Sequence, residues 1–417
     1  MLDDLRFGVF LAPYHADDES PTLQLRRDLE LAEQLDRLGF HELWVGEHHS
    51  ASFETIASPE LFIAAAAERT QRIRLGTGVV SLPYHHPLMV ADRITQLDHQ
   101  TQGRLMFGVG PGQLPSDAYM MGVPIKEQRR RMRESLEVLI PLLRGEVVTR
   151  ETDWFQLRDA RVQLGPYSHP HVEMAVAAAI SPSGPRAAGM HGIGMLSMAA
   201  TGGEGFDLLP AHWQLCEETA AEHGQHVDRK HWRLVAPMHL AESREQAYAD
   251  MQHGLLKLVR YFERLGGEPL PYSRSIEAAI EEWTERGLTL LGRAVIGTPD
   301  DAIERIRSLS ERSGGFGTML LLAHDCADPR RTAQSYDLFA RYVIPELRAA
   351  NRGRHESLRW FEQNNAEVVS DLRVAIGDEI EQHETRRREQ GAGVAWSDGR
   401  GLLVGDDEAR GKDEDRE

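Results

Sequence analysis

Four short segments concentrate side chains able to do chemistry. They are Gly46-Glu47-His48-His49, Tyr84-His85-His86-Pro87, the run GVGPGQLPSDAY at 108–119 that contains Asp117, and Ser181-Pro182-Ser183-Gly184. An imidazole changes charge near neutral pH, so one histidine of the 48–49 pair suits an acid, a base or a hydrogen-bond donor. His48 and Glu47 are therefore the candidate catalytic residues. Three roles stay open for Glu47: general acid, orienting partner of His48, or cap of the following turn. No metal is expected, because neighbours on an extended segment point opposite ways, HExxH is absent and no cysteine is near. His85 and His86 carry the same ambiguity, and His86 before Pro87 also suits a bond to helix-start backbone. His169 and His171, flanking Pro170 ahead of a strand, read as structural. Asp117 either accepts a bond from a ligand or caps its own turn. At 181–184, backbone N–H groups, two hydroxyls and a glycine can seat an anion or simply cap a helix, and Arg186 adds charge or faces solvent. Met106, Met120, Met121, Met174, Met190, Met195, Met198 and Met238 read mostly as core, with a few at strand ends making a soft apolar pocket.

These segments share one kind of position. Short, nearly continuous apolar runs at 7–11, 43–45, 73–82, 104–109, 172–180, 194–199, 233–240 and 319–323 predict eight strands covered on both faces, hence a parallel sheet. Helices lie between them. Pro59, Pro87 and Pro299 open three, and Gly39, Gly145 and Gly314 close three, because proline lacks the N–H that a first turn leaves unused and glycine accepts the left-handed turn. Eight strands, most followed by helices, predict an α/β fold of the (β/α)8 TIM-barrel type, with loops after the strands carrying the chemistry. A dinucleotide fold is disfavoured, since no G-x-G-x-x-G follows a strand. Excursions at about 146–169 and 266–295, the second with a short helix at 276–283, are insertions expected to form lids, binding loops or oligomer contacts. Residues 1–350 make the barrel. A helical extension at 351–384 follows, with its helix at 356–383 and a stripe of Leu358, Phe361, Val369, Leu372, Ile376 and Ile380, suited to dock on the barrel or on a partner subunit. The acidic stretch 385–417 is expected to be disordered.

Composition narrows the partners. The 417 residues carry 47 Lys and Arg against 65 Asp and Glu, a net charge of −18, which disfavours nucleic acid and anionic membranes. The N-terminus lacks a secretion signal, no apolar run is long enough to span a bilayer, and the only cysteines, Cys216 and Cys326, suit a reducing cytoplasm.

The motifs GEHHS at 46–50, GTGVVSLPYHHP at 76–87, ADRITQLDHQTQGR at 91–104 and LMFGVGPG at 105–112 resemble the bacterial-luciferase-like flavin monooxygenases over roughly residues 7–347. GEHHSASFETIASPELFIAAAAERT and SPSGPR look most like the limonene 1,2-monooxygenase branch. The resemblance implies reduced FMN, with FAD open, at the barrel's C-terminal face, O2 as co-substrate, and NAD(P)H acting through a separate flavin reductase. It implies a flavin C4a-hydroperoxide that oxygenates a small apolar substrate, as in alkene (terpene) epoxidation, in a homodimeric protein. The reactive histidine falls on His48, a non-prolyl cis peptide on Gly78–Val79, and the flavin-phosphate loop on Ser181, Ser183 and Gly184. Luciferases place Cys then Arg where this chain has Gly110 and Pro111. That weakens the phosphate contact and, at Gly110, is expected to open space for substrate. The rival readings are an F420-dependent oxidoreductase on the same barrel and a non-catalytic flavin-binding subunit.

Overall fold

The computed structural model describes residues 2–390 apart from Pro13, Thr289 and Leu290. Eight parallel strands close into one ring: β1 (Arg6–Leu11), β2 (Glu42–Val45), β3 (Arg74–Thr77), β4 (Leu105–Gly110), β5 (Glu173–Ala178), β6 (Gly194–Ser197), β7 (Trp232–Leu240) and β8 (Thr318–Leu322). Each pairs with its successor through β6, β6 pairs with β7, β7 with β8, and β8 returns to β1. The apolar runs at all eight positions form strands, which makes this the expected TIM barrel. The run at 73–82 does not stay whole. It breaks after β3 at a cis Gly78–Val79 peptide and resumes as Val80–Ser81, paired with β4.

Helices α1 (Pro21–Leu38), α2 (Pro59–Ala67), α3 (Pro87–Gln100), α4 (Gln128–Leu143), α5 (Ser183–His191), α6 (Gly203–Glu222), α7 (Pro299–Ser313) and α8 (Pro329–Leu338) follow the strands in turn. Their apolar faces bury Leu35, Ile63, Ile94, Leu139 and Ile306 against the outward residues of the strands, such as Phe7, Leu43, Val45 and Leu75. The inward residues form a second cluster of Phe10, Ala12, Trp44, Met106, Ala175, Leu196, Val235, Leu320 and Leu322. The two sets alternate along each strand, as period-2 geometry requires. Trp44 is fully buried, and it fits because β3 and β4 lack side chains beside it. A Cβ on Gly76 would lie 2.7 Å from the indole, and one on Gly108 would lie 2.9 Å from it.

The excursions differ in kind. Residues 146–169 hold an antiparallel hairpin, Val148–Glu151 with Gln156–Ala160. Trp154 of that hairpin donates to Glu134 of α4 at 2.7 Å, so it lies along a barrel helix. The larger insertion begins earlier than expected, with helices Arg244–Asp250, Leu255–Gly266 and Ile276–Glu281 between β7 and α7. It carries its own core around Met251, Leu258, Tyr261, Ile280 and Trp283, which also takes in Phe53 from the loop after β2. The chain divides into two compact units after Ala349. In the second, the helix Arg352–Glu389 starts four residues before and ends six residues after the expected span 356–383. The tail expected from 385 therefore begins inside a helix, and residues 391–417 lie outside the described set. No helix of the described residues is long and apolar enough to cross a membrane.

Two charge networks pin the barrel. At its N-terminal end the fully buried Arg233 donates to Glu42 at 2.9 and 3.1 Å and to Glu173 at 2.6 Å, and its guanidinium stacks 5.0 Å from the Trp44 ring. Burial opposes charge on Glu42, but Arg233 outweighs it and holds that carboxyl below its usual value. Removing one partner of such a pair strands the other, so Arg233→Met is expected to cost about 3–5 kcal/mol in denaturant unfolding. A loss below about 1 kcal/mol would show that the floor charges are not coupled. After β1, His15 bridges Asp28 of α1 at 2.9 Å and Asp325 after β8. Burial disfavours the charged ring, but its two carboxylate bonds prevail and lift its pKa to about 9. A raised folded-state pKa gives stability that is complete below the unfolded value near 6.5 and disappears as pH rises through about 9. Wild type should therefore lose on the order of 3 kcal/mol across that window, measured by denaturant titration at each pH, and His15→Gln should not show that slope.

Candidate active site

The loop after β2 carries the alternation of the strand one step further. Glu47 and His49 fall on one side and meet, Glu47 Oε1 to His49 Nε2 at 3.0 Å. The same oxygen lies 2.9 Å from His85 Nε2, and Glu47 Oε2 accepts the Ser81 N–H at 3.1 Å. Burial would raise the Glu47 carboxyl, and these donors hold it below its usual value. Glu47, His49 and His85 offer three ligand atoms within 4.8 Å of one another, a set able to hold a divalent ion. Reasoning from the adjacent pair His48–His49 could not see this trio, because its members are two residues apart or on another loop. Glu47 already accepts from both rings and from the Ser81 N–H, and we assign the trio no ion.

His48 stands apart from that trio. Its N–H is tied to the Ile56 carbonyl at 3.1 Å, and its side chain is 15% exposed. Nδ1 lies 3.0 Å from Asp117 Oδ2, and Nε2 lies 3.3 Å from Glu54 Oε2. Asp117, in the first turn of the short helix Pro115–Met120 after β4, also accepts the His49 N–H at 3.1 Å and the Ser50 hydroxyl. Glu47 was expected as a partner able to orient His48; the structure puts Asp117 in that place. Glu54 had no part in the sequence reading. The available signal was a lone carboxylate between Phe53 and Ile56, both buried. Ala51 and Ser52, with φ of 66° and 75°, turn the chain back so that Glu54 reaches His48.

The charges of this row are set by its surroundings. Burial would lower the His48 pKa, and the Glu54 charge and the Asp117 bond raise it instead. Burial would raise Asp117, but hydrogen bonds from His48 and Ser50 hold it low. Glu54 is pushed upward, chiefly by burial. Asp117 is thus favoured as the carboxylate, and His48 and Glu54 compete for the proton between them: His48 is shifted toward its charged form and Glu54 toward its neutral acid.

Above the inner cluster, Tyr14, Val79, Met198 and Leu291 are only partly buried and form an apolar rim. Of the methionines, Met198 stands there. Met106, Met174, Met195 and Met238 are core, and Met120 and Met121 are exposed. Gly110 does not open space, contrary to expectation. A Cβ there would lie 2.5 Å from Val79 Cγ2, so the Val79 side chain already takes the room. Ser181 and Ser183 hydroxyls lie 2.8 Å apart at the start of α5, where no side chain caps the helix, and Arg186 is exposed. Gly184 packs α5 onto β5, since a Cβ would come 2.7 Å from the Ala177 carbonyl. His86 makes no capping bond, and its ring meets Phe155 edge-on at 6.4 Å. A cavity of about 360 Å³ lies between α1 and α8 and reaches the rim at Tyr14, lined also by Ala12, Leu31, Gln34, Thr332 and Tyr336.

Known proteins share this architecture. A family model described as luciferase-like monooxygenase matches residues 5–316. Limonene 1,2-monooxygenase of Rhodococcus erythropolis is 46% identical over 388 residues, covering 91% of this chain and 97% of that protein. The 4-hydroxyprotoasukamycin monooxygenase of Streptomyces nodosus subsp. asukaensis is 47% identical over 363 residues, covering 86% and 96%. Among solved structures, the oxygenating constituent of 3,6-diketocamphane monooxygenase from Pseudomonas putida, a type II Baeyer–Villiger monooxygenase in complex with FMN, superposes with a TM-score of 0.66 at 26% identity, covering 82% of this chain and 98% of that one. Matched by the family model across the barrel, the chain belongs to the luciferase-like monooxygenase family.

Proposed function

We propose that this protein uses reduced flavin and O2 to oxygenate a small apolar substrate, with alkene epoxidation of a terpene-like compound as the reaction. The observation that carries the reading is the placement of His48: nearly buried and held between the carboxyl groups of Asp117 and Glu54. The relationship to limonene 1,2-monooxygenase supports the substrate class.

The residues present fit a flavin. The apolar rim of Tyr14, Val79, Met198 and Leu291 matches a flat aromatic ring. The uncapped first turn of α5, with the Ser181 and Ser183 hydroxyls, matches a phosphate, since helix N-termini present free N–H groups to anions. FMN is the form we propose, supplied already reduced by a separate NAD(P)H-dependent reductase. When bound in that state, the flavin reacts with O2 and supplies one oxygen atom.

The chain's own residues then do three things. The rim excludes water, which otherwise diverts activated oxygen to waste. Asp117 holds His48 by Nδ1–H and so fixes which nitrogen is left to act. His48 keeps a proton at Nε2. An alkene needs an electrophilic, protonated oxygen donor, whereas a ketone needs a deprotonated one. The raised pKa of His48 therefore supports the alkene reaction over a Baeyer–Villiger one.

His48→Ala is expected to lower product formed per reduced FMN by about 100-fold, the usual scale of a lost acid or base, with hydrogen peroxide rising in its place. An unchanged product yield in that coupled assay removes His48 from the mechanism. Activity needing the protonated ring declines as pH rises through its pKa. Asp117→Asn removes a bond that raises that pKa, so the alkaline limb of the pH–rate profile should move to lower pH. A limb that stays in place would separate Asp117 from His48.

A further inference from the structure

The helix Arg352–Glu389 runs 38 residues with no buried residue. Leu358, Phe361, Leu372 and Ile376 on it are 55, 45, 44 and 36% exposed. With Asn365, Val369 and Ile380 they keep a 3-4-4 spacing, 358, 361, 365, 369, 372, 376 and 380. That is an eleven-residue repeat of about 3.67 residues per turn, whose seam drifts only slowly around a helix and favours a right-handed wrap of two such helices. A seam this long and this regular is built to meet another helix of similar length.

We infer that the seam pairs two copies of this chain through an antiparallel helix pair centred on Val369. The charges select both the occupant and its direction. Residues 352–359 carry Arg352, Arg354 and Arg359 against one acid, Glu356, while residues 378–384 carry Asp378, Glu379, Glu381 and Glu384 with no Lys or Arg; Arg386, Arg387 and Arg388 follow, Arg388 lying 3.7 Å from Glu384, and residues 378–389 remain net negative. Residues 358 and 380 are equidistant from 369. An antiparallel pair therefore places Leu358 of one copy against Ile380 of the other and the basic end of each against the acidic stretch of its mate, twice by symmetry. Opposed helix dipoles act in the same sense. A parallel pair would bring the two Asn365 side chains together, a recognised device for register. It would also stack the acidic stretch on itself, with eight carboxylates gathered, and the Arg386–Arg388 turn on itself, leaving each set against its like. The charge pattern decides for the antiparallel arrangement.

The test uses the full chain. Light scattering during gel filtration should give an even number of copies, and Leu372→Glu with Ile376→Glu should halve the mass while the circular-dichroism melt of the barrel stays in place. A monomeric wild type, or an unchanged mass in that variant, overturns the proposal. Charge provides a second arm. Arg354→Glu with Arg359→Glu should raise the dissociation constant at least tenfold, and adding Glu379→Arg with Glu384→Arg should restore it; failure of that restoration also overturns it. Direction is read by mild oxidation. Leu358→Cys with Ile380→Cys should give a disulfide-linked dimer and Leu358→Cys alone should not, while linkage by the single variant overturns the antiparallel arrangement. The native Cys216 and Cys326 are buried and do not compete.

Discussion

Two opposite charges removed from water, Glu42 and Arg233, set the condition under which this barrel is built. An ion pair at zero exposure is tolerated only if every remaining donor and acceptor is used. Here Glu42 also accepts from the Trp44 indole at 2.9 Å and from Thr318 at 3.3 Å, and Arg233 reaches Glu173, itself held by Arg74 and His231. The floor is thereby filled. The Trp44 ring fills the next layer, seated on Gly76 and Gly108. Beyond that layer lies the C-terminal end of the strands, where side chains become only partly buried. The same pair also fixes register. Glu42 and Trp44 face inward and Leu43 and Val45 outward, and a one-residue slip of β2 would reverse all four. That register, carried past Gly46, puts Glu47 with His49 and leaves His48 free to meet Asp117.

The site joins an apolar rim to two carboxylate–histidine sets, and the combination has a physical logic. The Asp117 and Glu54 side chains are only 2% and 7% exposed, so the interactions among Asp117, His48 and Glu54 are stronger than they would be at the surface. The two acids answer differently to nearly the same histidine. Asp117 has three donors and stays ionised, while Glu54 has only the far nitrogen of His48 and is pushed toward neutrality by burial. Glu47 forms a separate set with His49 and His85, and ties the loop after β2 to the segment after β3.

Much of this was legible in the residues. The strands are apolar enough on both faces to be read one by one, and proline and glycine mark the helix ends because their backbone limits are local. The GEHHS and SPSGPR segments could be placed at strand ends for the same reason. What failed was contact across loops. Whether Glu47 or Asp117 meets His48 depends on how the loops after β2 and β4 approach in space, and on two residues, Ala51 and Ser52, that adopt left-handed backbone with no glycine to announce it. Glu54 lies in no motif, and its chemistry comes from its burial. The length of the last helix escaped because its ends are polar and its stop lies beyond the apolar stripe.

Gly110 shows how a residue compared by type alone can mislead about shape. Reading the residue as a lost side chain suggests an enlarged pocket. In the fold the neighbouring chain has moved into the gap, with Val79 within 2.5 Å of where a Cβ would stand. The two positions are therefore one packing unit: a side chain at 110 requires Val79 to withdraw, and a smaller residue at 79 is what would open the rim. Val79 also borders the inner cluster alongside Tyr14, Met198 and Leu291, and Tyr14 and Leu291 pack as well on the core of the large insertion. The width of the mouth is thus set jointly by the loop after β3 and by how the insertion sits on Tyr14 and Leu291. Shape at this end of the barrel is a property of loops that pack on one another, while the strands beneath supply a fixed base.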